Sequence, residues 1–450
     1  MNKWQICAME GSKMTAIPQP NNVLPFDLPA QTKLEAPKLV DYSRSEKPRP
    51  LGTSANLAAL LSFYGWKPAF NDMTAEPTVI SVPTGERVGG GDDGQRSKLI
   101  DACERHCVPK AVIDEHLTAL CQSNSFHPVR QWLESGEPWD KVERVNDVID
   151  TLNAKEPEFA RSVMRAWLVA AMAALYESTF ICKLVPVLQG QQSAIKSAWV
   201  SRLACVVSGS RYEGRLEPDK VDHVRQVTRA WIAELAELES TTKHDAGVLK
   251  AFITTATDVF RLPFARNPTY KRRQTVFIGT VNGTDFLKDL TGNTRFFVIE
   301  LSKEVNIDRV NELLGWEFDN ERITLREPEQ LRQFWLEVKE LYLQGASWGL
   351  DEVIRQKQAK INDAYTDKGA HYKNIVDAYL GANSNTFRWF TAGELTAHQG
   401  ESASKSGPWG KALKLLAQEG LIESRTGRSR RTEYRLPVPS NSANRENGPA

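Results

Sequence analysis

A strand-like run, a polar turn and a Lys-Ser pair constrain this chain more than any other stretch. They lie between Lys183 and Val200, KLVPVLQGQQSAIKSAWV. Leu184 to Leu188 reads as a short apolar strand. The turn opens on Gly190, and a helix begins near Lys196 and Ser197. This is the layout of a phosphate-binding loop. A helix N-terminus offers unpaired N–H groups and partial positive charge. Lys196 adds a full charge for the outer phosphates, and the Ser197 hydroxyl is an oxygen ligand of the kind Mg2+ prefers. Two residues argue the other way. Ile195 stands where G-x-x-x-x-G-K-[ST] has its second glycine, and a β-branched residue resists positive φ. Pro186 weakens the reading of a central strand. On this stretch alone a working nucleotide site, a decayed one and an ordinary strand-to-helix turn all stay open.

The chain has 450 residues, too many for one core, so roughly two to four domains are expected. Its net charge is +1, so any nucleic-acid surface has to be a local patch. The first residues, MNKWQICAMEGSK, contain no apolar segment of a secretory signal. The longest apolar run, Ala166 to Leu175, is too short to span a bilayer. These features predict a cytoplasmic protein without a membrane partner. None of the six cysteines forms a C-x-x-C pair. Cys103, His106 and Cys107 lie close together, but a structural zinc needs four well-spaced ligands, and reduced, idle thiols are the simpler reading.

Residues 1–50, rich in Pro, Asn, Ser and Lys, read as a flexible leader. A mainly helical region, 51–145, follows. SANLAALLSFYGW is a capped helix closed by Gly65, and PTVISVPTG is a strand and turn. GGGDDG, Gly89 to Gly94, reads as a linker, because its aspartates would repel phosphate. Helices are expected over Ser97 to Arg105 and Lys110 to Ser123, and a further one starting near Trp139. A central α/β core is expected over 146–345, entered by a long helix from Glu158 to Tyr176. Within it, Ala230 to Leu238 is either an amphipathic helix or a strand ending in acid. As a strand it places Glu234 and Glu237 to orient Mg2+ and to polarise an attacking water. Gln274 to Val281 is an apolar strand tipped by Asn282, the position at which a P-loop ATPase senses the terminal phosphate. Lys271, Arg272 and Arg273 precede it as a basic cluster that could contact DNA, and Arg295 precedes the strand FFVIE as a candidate finger. The plainer reading of both is solvated surface charge.

A helical connector, 346–368, leads to a distinct pattern over 369–437. It comprises a helix from His371 to Leu380 and a strand from Thr386 to Phe390. A second helix is opened by the capping-box pair Thr391 and Glu394, and a third runs from Ser406 to Glu419. An alternating hairpin closes the pattern. Three helices and such a hairpin predict a winged helix. Arg425, Arg428, Arg430, Arg431 and Arg435 against Glu423 and Glu433 give +5 − 2 = +3 over 421–437. These arginines suit DNA phosphate, and Lys411 and Lys414 lie on the helix expected to enter the major groove. Residues 438–450 read as a disordered tail.

Several blocks in order carry a resemblance: HPVRQWLES, the loop region, ELAEL, KAFITTATDVFRLPFARNPTYKRRQTVFIGTVN and DLTGNTRFFVIEL. Together they resemble the virulence-associated E family of phage, plasmid and genomic-island proteins, from about Ser54 to Ala364. The resemblance implies a P-loop core of the AAA+ and superfamily 3 helicase type. It assigns Gly190, Gln192, Lys196 and Ser197 to the nucleotide loop, Glu234 and Glu237 to the acidic positions, Asn282 to the sensor, and Arg295 to the T-G-N-x-R-F arginine. Ser193 and Ile195 replace two family glycines, and Thr294 stands where a second arginine is common. These changes bear on nucleotide affinity and turnover more than on fold.

The expected function is an ATP- and Mg2+-dependent DNA helicase or replication initiator of a mobile genetic element. It would act as a homo-oligomer, such as a hexameric ring, beside a primase or host replication protein. The alternative is a DNA-binding initiator or scaffold with a decayed loop that recruits its partners without hydrolysing ATP.

Overall fold

Three apolar runs, VPVLQ, VFIGTV and FFVIE, are too hydrophobic to lie on a surface, and they become neighbouring strands of one parallel sheet. In the computed structural model the sheet comprises β1 (Val185–Gln189), β2 (Arg211–Gly214), β3 (Ile232–Leu235), β4 (Val276–Val281) and β5 (Phe296–Glu300). Their order is β5-β1-β4-β3-β2, and every adjacent pair is parallel. The structure describes residues 36–236, 238, 246–261, 268–284, 286–287, 293–366, 368–381, 386–427 and 430–438. The expected tail from 439 onward lies outside them.

A parallel sheet must be covered on both faces, and alternation along the strands supplies two apolar faces. Leu188, Ile232, Val276, Ile278, Phe297 and Ile299 join one core cluster, which includes α1 (Pro157–Tyr176), α2 (Lys196–Ala204) and α3 (Pro328–Leu343). Val185, Val187, Ala233, Leu235, Phe277 and Val298 join the other, with Leu249, Phe252, Ile253 and Tyr365. Four tryptophans anchor the first face, each fully buried and each with its indole N–H satisfied. Trp167 donates to Phe277 O (2.8 Å), Trp231 to Ala171 O (2.9 Å), Trp335 to Leu203 O (3.0 Å) and Trp199 to Thr151 Oγ1 (3.0 Å). Pro186 proves compatible with an interior strand. The β1–β4 ladder starts at Val187, so the missing N–H falls where only the β5 side is paired.

The chain divides into two compact units, Met1–Lys67 with Ile80–Leu117, and Pro68–Val79 with Thr118–Ala450. In the first, the helix Ser54–Phe63 is capped by Thr53. Buried Asn56 accepts from Val40 N (2.9 Å) and donates to Asp41 O (2.7 Å) and Leu51 O (2.9 Å). The part of the expected leader that is described is therefore tied down. The expected linker at Gly89–Gly94 contains the start of a helix, Asp92–Arg105. The helix expected near Trp139 begins instead at Val145. Cys103 is buried and His106 Nε2 lies 3.0 Å from Tyr64 Oη, and no metal-binding group of His, Cys, Asp and Glu occurs among the described residues.

The C-terminal region holds a short helix (Ala370–Ile375), a single π-turn (Val376–Leu380), α4 (Ala392–His398) and α5 (Ser406–Gln418). An antiparallel sheet of order β6-β8-β7 joins them, with β6 (Phe387–Phe390), β7 (Glu423–Thr426) and β8 (Thr432–Pro437). Ile375, Phe390, Leu395, Trp409, Leu413, Leu416 and Leu436 form its own core. The capping box is present: Glu394 N donates to Thr391 Oγ1 (3.2 Å) and Thr391 N to Glu394 Oε2 (2.7 Å).

The expected basic cluster at 271–273 needs correction. Thr257–Phe260 and Thr269–Arg272 pair as an antiparallel hairpin, and Lys271 and Arg273 are only 3% and 2% exposed. Arg273 forms a two-pronged pair with Asp258 (Nε–Oδ2 2.6 Å, Nη2–Oδ1 2.5 Å) and lies 4.4 Å over the Phe252 ring. Arg272, half-buried, donates to Glu177 O. In this fold Lys271 and Arg273 are buried and not open to DNA, and the carboxylate and the ring draw Arg273 inward.

Lys271 Nζ is buried without a hydrogen-bond acceptor, and burial pushes its pKa down from 10.5 to about 8. Between those values the unfolded chain holds a proton that the folded one has released, so stability rises with pH there. Below about pH 8 both states are protonated and the folded protein carries the whole burial cost. Lys271→Met is expected to stabilise the protein by roughly 2 kcal/mol at pH 7, with the gain fading by pH 10. Urea unfolding at both pH values measures this; an equal gain at both would assign the effect to packing rather than charge.

Candidate functional site

After β1 the chain turns through Gly190–Ile195 and enters α2 at Lys196. The turn is tied to its surroundings. Gly190 N donates to Val281 O (3.3 Å), Ala194 N to Gln191 O (3.0 Å) and Val305 N to Ala194 O (3.3 Å). Ile195, at the N-cap, has φ 57° and ψ 27°, the left-handed conformation. Its side chain is 40% exposed. The backbone therefore takes the shape a glycine would adopt freely, at a strain cost of about 1–2 kcal/mol. The objection raised by Ile195 concerns strain rather than shape.

Lys196 is 6% exposed. Its Nζ donates to Gly190 O (2.8 Å), Gln191 O (2.9 Å) and Asn282 Oδ1 (2.9 Å). Asn282, at the tip of β4, is thus brought to the lysine. Ser197 Oγ donates to Glu234 Oε1, and Thr280 Oγ1 donates to the same oxygen at 3.3 Å. Glu234, on β3, is wholly buried, and its Oε2 accepts from Arg211 Nη2 (2.5 Å). The carboxyl ends of β1, β4 and β3 therefore assemble an ammonium, an amide, two hydroxyls and a carboxylate in one place. A crevice at such strand ends is where open α/β sheets hold ligands.

Of the residues singled out in the sequence, Lys196, Ser197, Glu234, Asn282 and Gly190 lie together. Gln192 is exposed on the turn, with no role evident in the described contacts. Glu237 lies outside the described residues. Arg295 stands apart, in the short turn entering β5; its electrostatic neighbour is Lys250, whose pKa is lowered by burial and then by that arginine. Arg211 and Thr280 were missed. Thr280 sits in an apolar run and reads as a core residue. Arg211 opens a four-residue strand in a polar stretch with no periodic signal.

On the C-terminal region, Lys411 and Lys414 are exposed on α5, and Arg425, Arg430 and Arg431 are exposed on or beside the β7–β8 hairpin. Arg428 lies outside the described residues. Arg425 pairs with Glu433 (2.8 Å) and stacks 4.0 Å over Trp389; Arg435 pairs with Glu423 (3.0 Å) and lies 4.5 Å over Phe387. Those two arginines stiffen the outer face of the sheet, whereas Arg430 and Arg431 mark its turn.

The solved structures similar to this chain include the apo C-terminal region of NrS-1, at 13% identity and a TM-score of 0.47, covering 85% of this chain and 98% of that one. Two A-form structures of the same region give 0.45 at the same identity, covering 85% of this chain and 98% and 99% of theirs. No curated protein matches the chain. The model of the virulence-associated protein E-like domain matches residues 133–367, beginning later than the resemblance read from about Ser54. That is just over half of the sequence, and the chain belongs to the virulence-associated protein E-like family.

Proposed function

We propose that this protein is an ATP-dependent DNA helicase or replication initiator of a mobile genetic element. The core is read as a P-loop fold of the AAA+ and superfamily 3 type, and the C-terminal region as a winged helix that holds DNA. One observation carries the reading: Lys196 and Ser197 start a helix after a left-handed turn, with Asn282 on the lysine and Glu234 on the serine. The strand order β5-β1-β4-β3-β2 supports it, since the three strands concerned end side by side.

The residues fit the groups the reading requires. The loop and the N-terminus of α2 suit a triphosphate, with Lys196 placed for its outer charge. Ser197 and Glu234 offer the hard oxygen donors that suit Mg2+. Bound there, the ion would neutralise charge that develops on the transferring phosphoryl group. Asn282 and Lys196 would position the terminal phosphate, and Glu234 would hold the metal-bound side and orient water. Arg295, away from this cluster, would serve as a finger toward a neighbouring subunit's nucleotide. That role requires a homo-oligomer, for which a hexameric ring is one form. A primase or host replication protein is the expected partner.

Lys196→Ala is expected to abolish ATP turnover while leaving DNA binding intact, read by phosphate release and by electrophoretic shift. The absence of turnover in the wild type with DNA present would leave the second reading, an initiator or scaffold with a decayed loop. That reading is favoured by Ile195 and by the loop carbonyls that already engage Lys196.

Ile195→Gly removes the strain at an exposed position. It is expected to raise stability by up to about 1 kcal/mol, after the entropy glycine gives back. It should bind a fluorescent ATP analogue at least as well as the wild type. Binding that appears only in this variant would favour the decayed reading.

Arg430→Ala with Arg431→Ala is expected to weaken duplex binding uniformly across sequences. It should lower the slope of log affinity against log salt by about 2. An unchanged slope would move the DNA surface elsewhere.

A further inference from the structure

Arg211 is a cation already seated at the acidic end of the site. It stands on β2, where its register partner is Ile232, two positions before Glu234. Its Nη2 meets three oxygens: Glu234 Oε2 (2.5 Å), Glu213 Oε2 (2.8 Å) and Ser197 O (3.3 Å). Its Nε is buried and has no acceptor. The guanidinium therefore does not make the fitted, parallel fork that gives the strongest arginine–carboxylate pairs. It is held by charge, with its buried Nε–H left without an acceptor.

The carboxylate it holds cannot stay charged and unpartnered, because Glu234 has no exposure at all and an isolated buried charge is prohibitively costly. Arg211 supplies the positive charge, and Ser197 and Thr280 supply hydroxyl donors to the other oxygen. The same two groups, Ser197 Oγ and the Glu234 carboxylate, are the ones a divalent ion would use. Mg2+ needs an octahedral shell at ~2.1 Å. The Ser197 hydroxyl can offer the ion a lone pair while its proton stays on Glu234 Oε1, so what the ion competes with is the charge that Arg211 holds on Oε2.

We infer that Arg211 is a positioning residue that stands in for the divalent cation, balancing the Glu234 carboxylate until a metal arrives with nucleotide. This rests on reading the cluster as a nucleotide site. Arg211 thereby sets how much Mg2+ the site requires. The ion must compete with a positive charge already held on that carboxylate.

The test is titration of a fluorescent ATP analogue at a series of Mg2+ concentrations, with wild type, Arg211→Gln and Arg211→Lys. Competition of two cations for one carboxylate is a coupling between sites, and the Mg2+ concentration for half-maximal binding is expected to fall about tenfold in Arg211→Gln. Arg211→Lys keeps the charge and is expected to stay near the wild-type midpoint. In a Glu234→Gln background, Arg211→Gln should have no effect on the midpoint, since the arginine acts through that carboxylate. Where Arg211→Gln alone fails to fold, Glu213→Gln carries the test: it removes the second carboxylate from Arg211 Nη2, and the Mg2+ midpoint is expected to rise, whereas an unchanged midpoint overturns the inference.

Nucleotide binding with an unchanged Mg2+ midpoint in Arg211→Gln would overturn the inference and leave the nucleotide site standing. So would equal shifts in the glutamine and lysine variants, or a shift that persists without Glu234. No binding by wild type or Arg211→Gln at any Mg2+ concentration would remove the nucleotide-site reading, and the inference with it.

Discussion

A carboxylate sealed from solvent at the end of β3 is the constraint to which the rest of the site answers. A carboxyl group with no exposure needs positive charge and donors to meet it from several directions. They come from β2 (Arg211), α2 (Ser197) and β4 (Thr280). Leaving such a buried charge unpaired costs about 3–5 kcal/mol, a large part of a domain's net stability. The sheet's strand order makes this convergence possible. β4 lies between β1 and β3, so the lysine and serine that follow β1 face the carboxylate of β3 across a single strand, and that strand itself leads into the asparagine.

Burial of charge does not by itself indicate chemistry, and this molecule contains the control. Arg273 and Asp258 are as buried as Glu234, are joined by a well-formed fork, and are roofed by Phe252. They fasten a hairpin to its neighbouring helix. What separates the two cases is place and fit. Arg273 pairs squarely, away from the strand ends, and its Nε donates to Asp258. Arg211 meets its carboxylate through one nitrogen, leaves its Nε unused, and sits where three strands end and a helix begins.

The sheet's centre was legible because its strands are continuous apolar runs, and the loop because Lys-Ser at a helix start is rare punctuation. The C-terminal region was legible because its capping box, its apolar helix face and its alternating hairpin agree with each other. Local pattern could not supply partners. The run Lys271-Arg272-Arg273 looks solvated until Asp258, fifteen residues away in sequence, folds against it. β2 was invisible because an edge strand of four residues, half-exposed, has neither an apolar run nor a clean alternation. With it went Arg211, whose role depends wholly on the register of β2 beside β3.

Ile195 shows why a local rule can fail without the fold failing. In isolation a β-branched residue avoids positive φ, and the cost of about 1–2 kcal/mol would normally select another turn. Here the residues on either side leave no other turn. Ala194 O accepts from Val305, Lys196 is pinned by three acceptors, and Ser197 is bound to a buried acid. Together these interactions outweigh one strained dihedral, and the exposed side chain forfeits no packing by complying. The strained turn is therefore a consequence of the charge network rather than evidence against it. The same network that holds the loop in this shape also engages the lysine and the serine with the protein's own groups, so one set of contacts fixes both the strained dihedral and the two side chains that follow it.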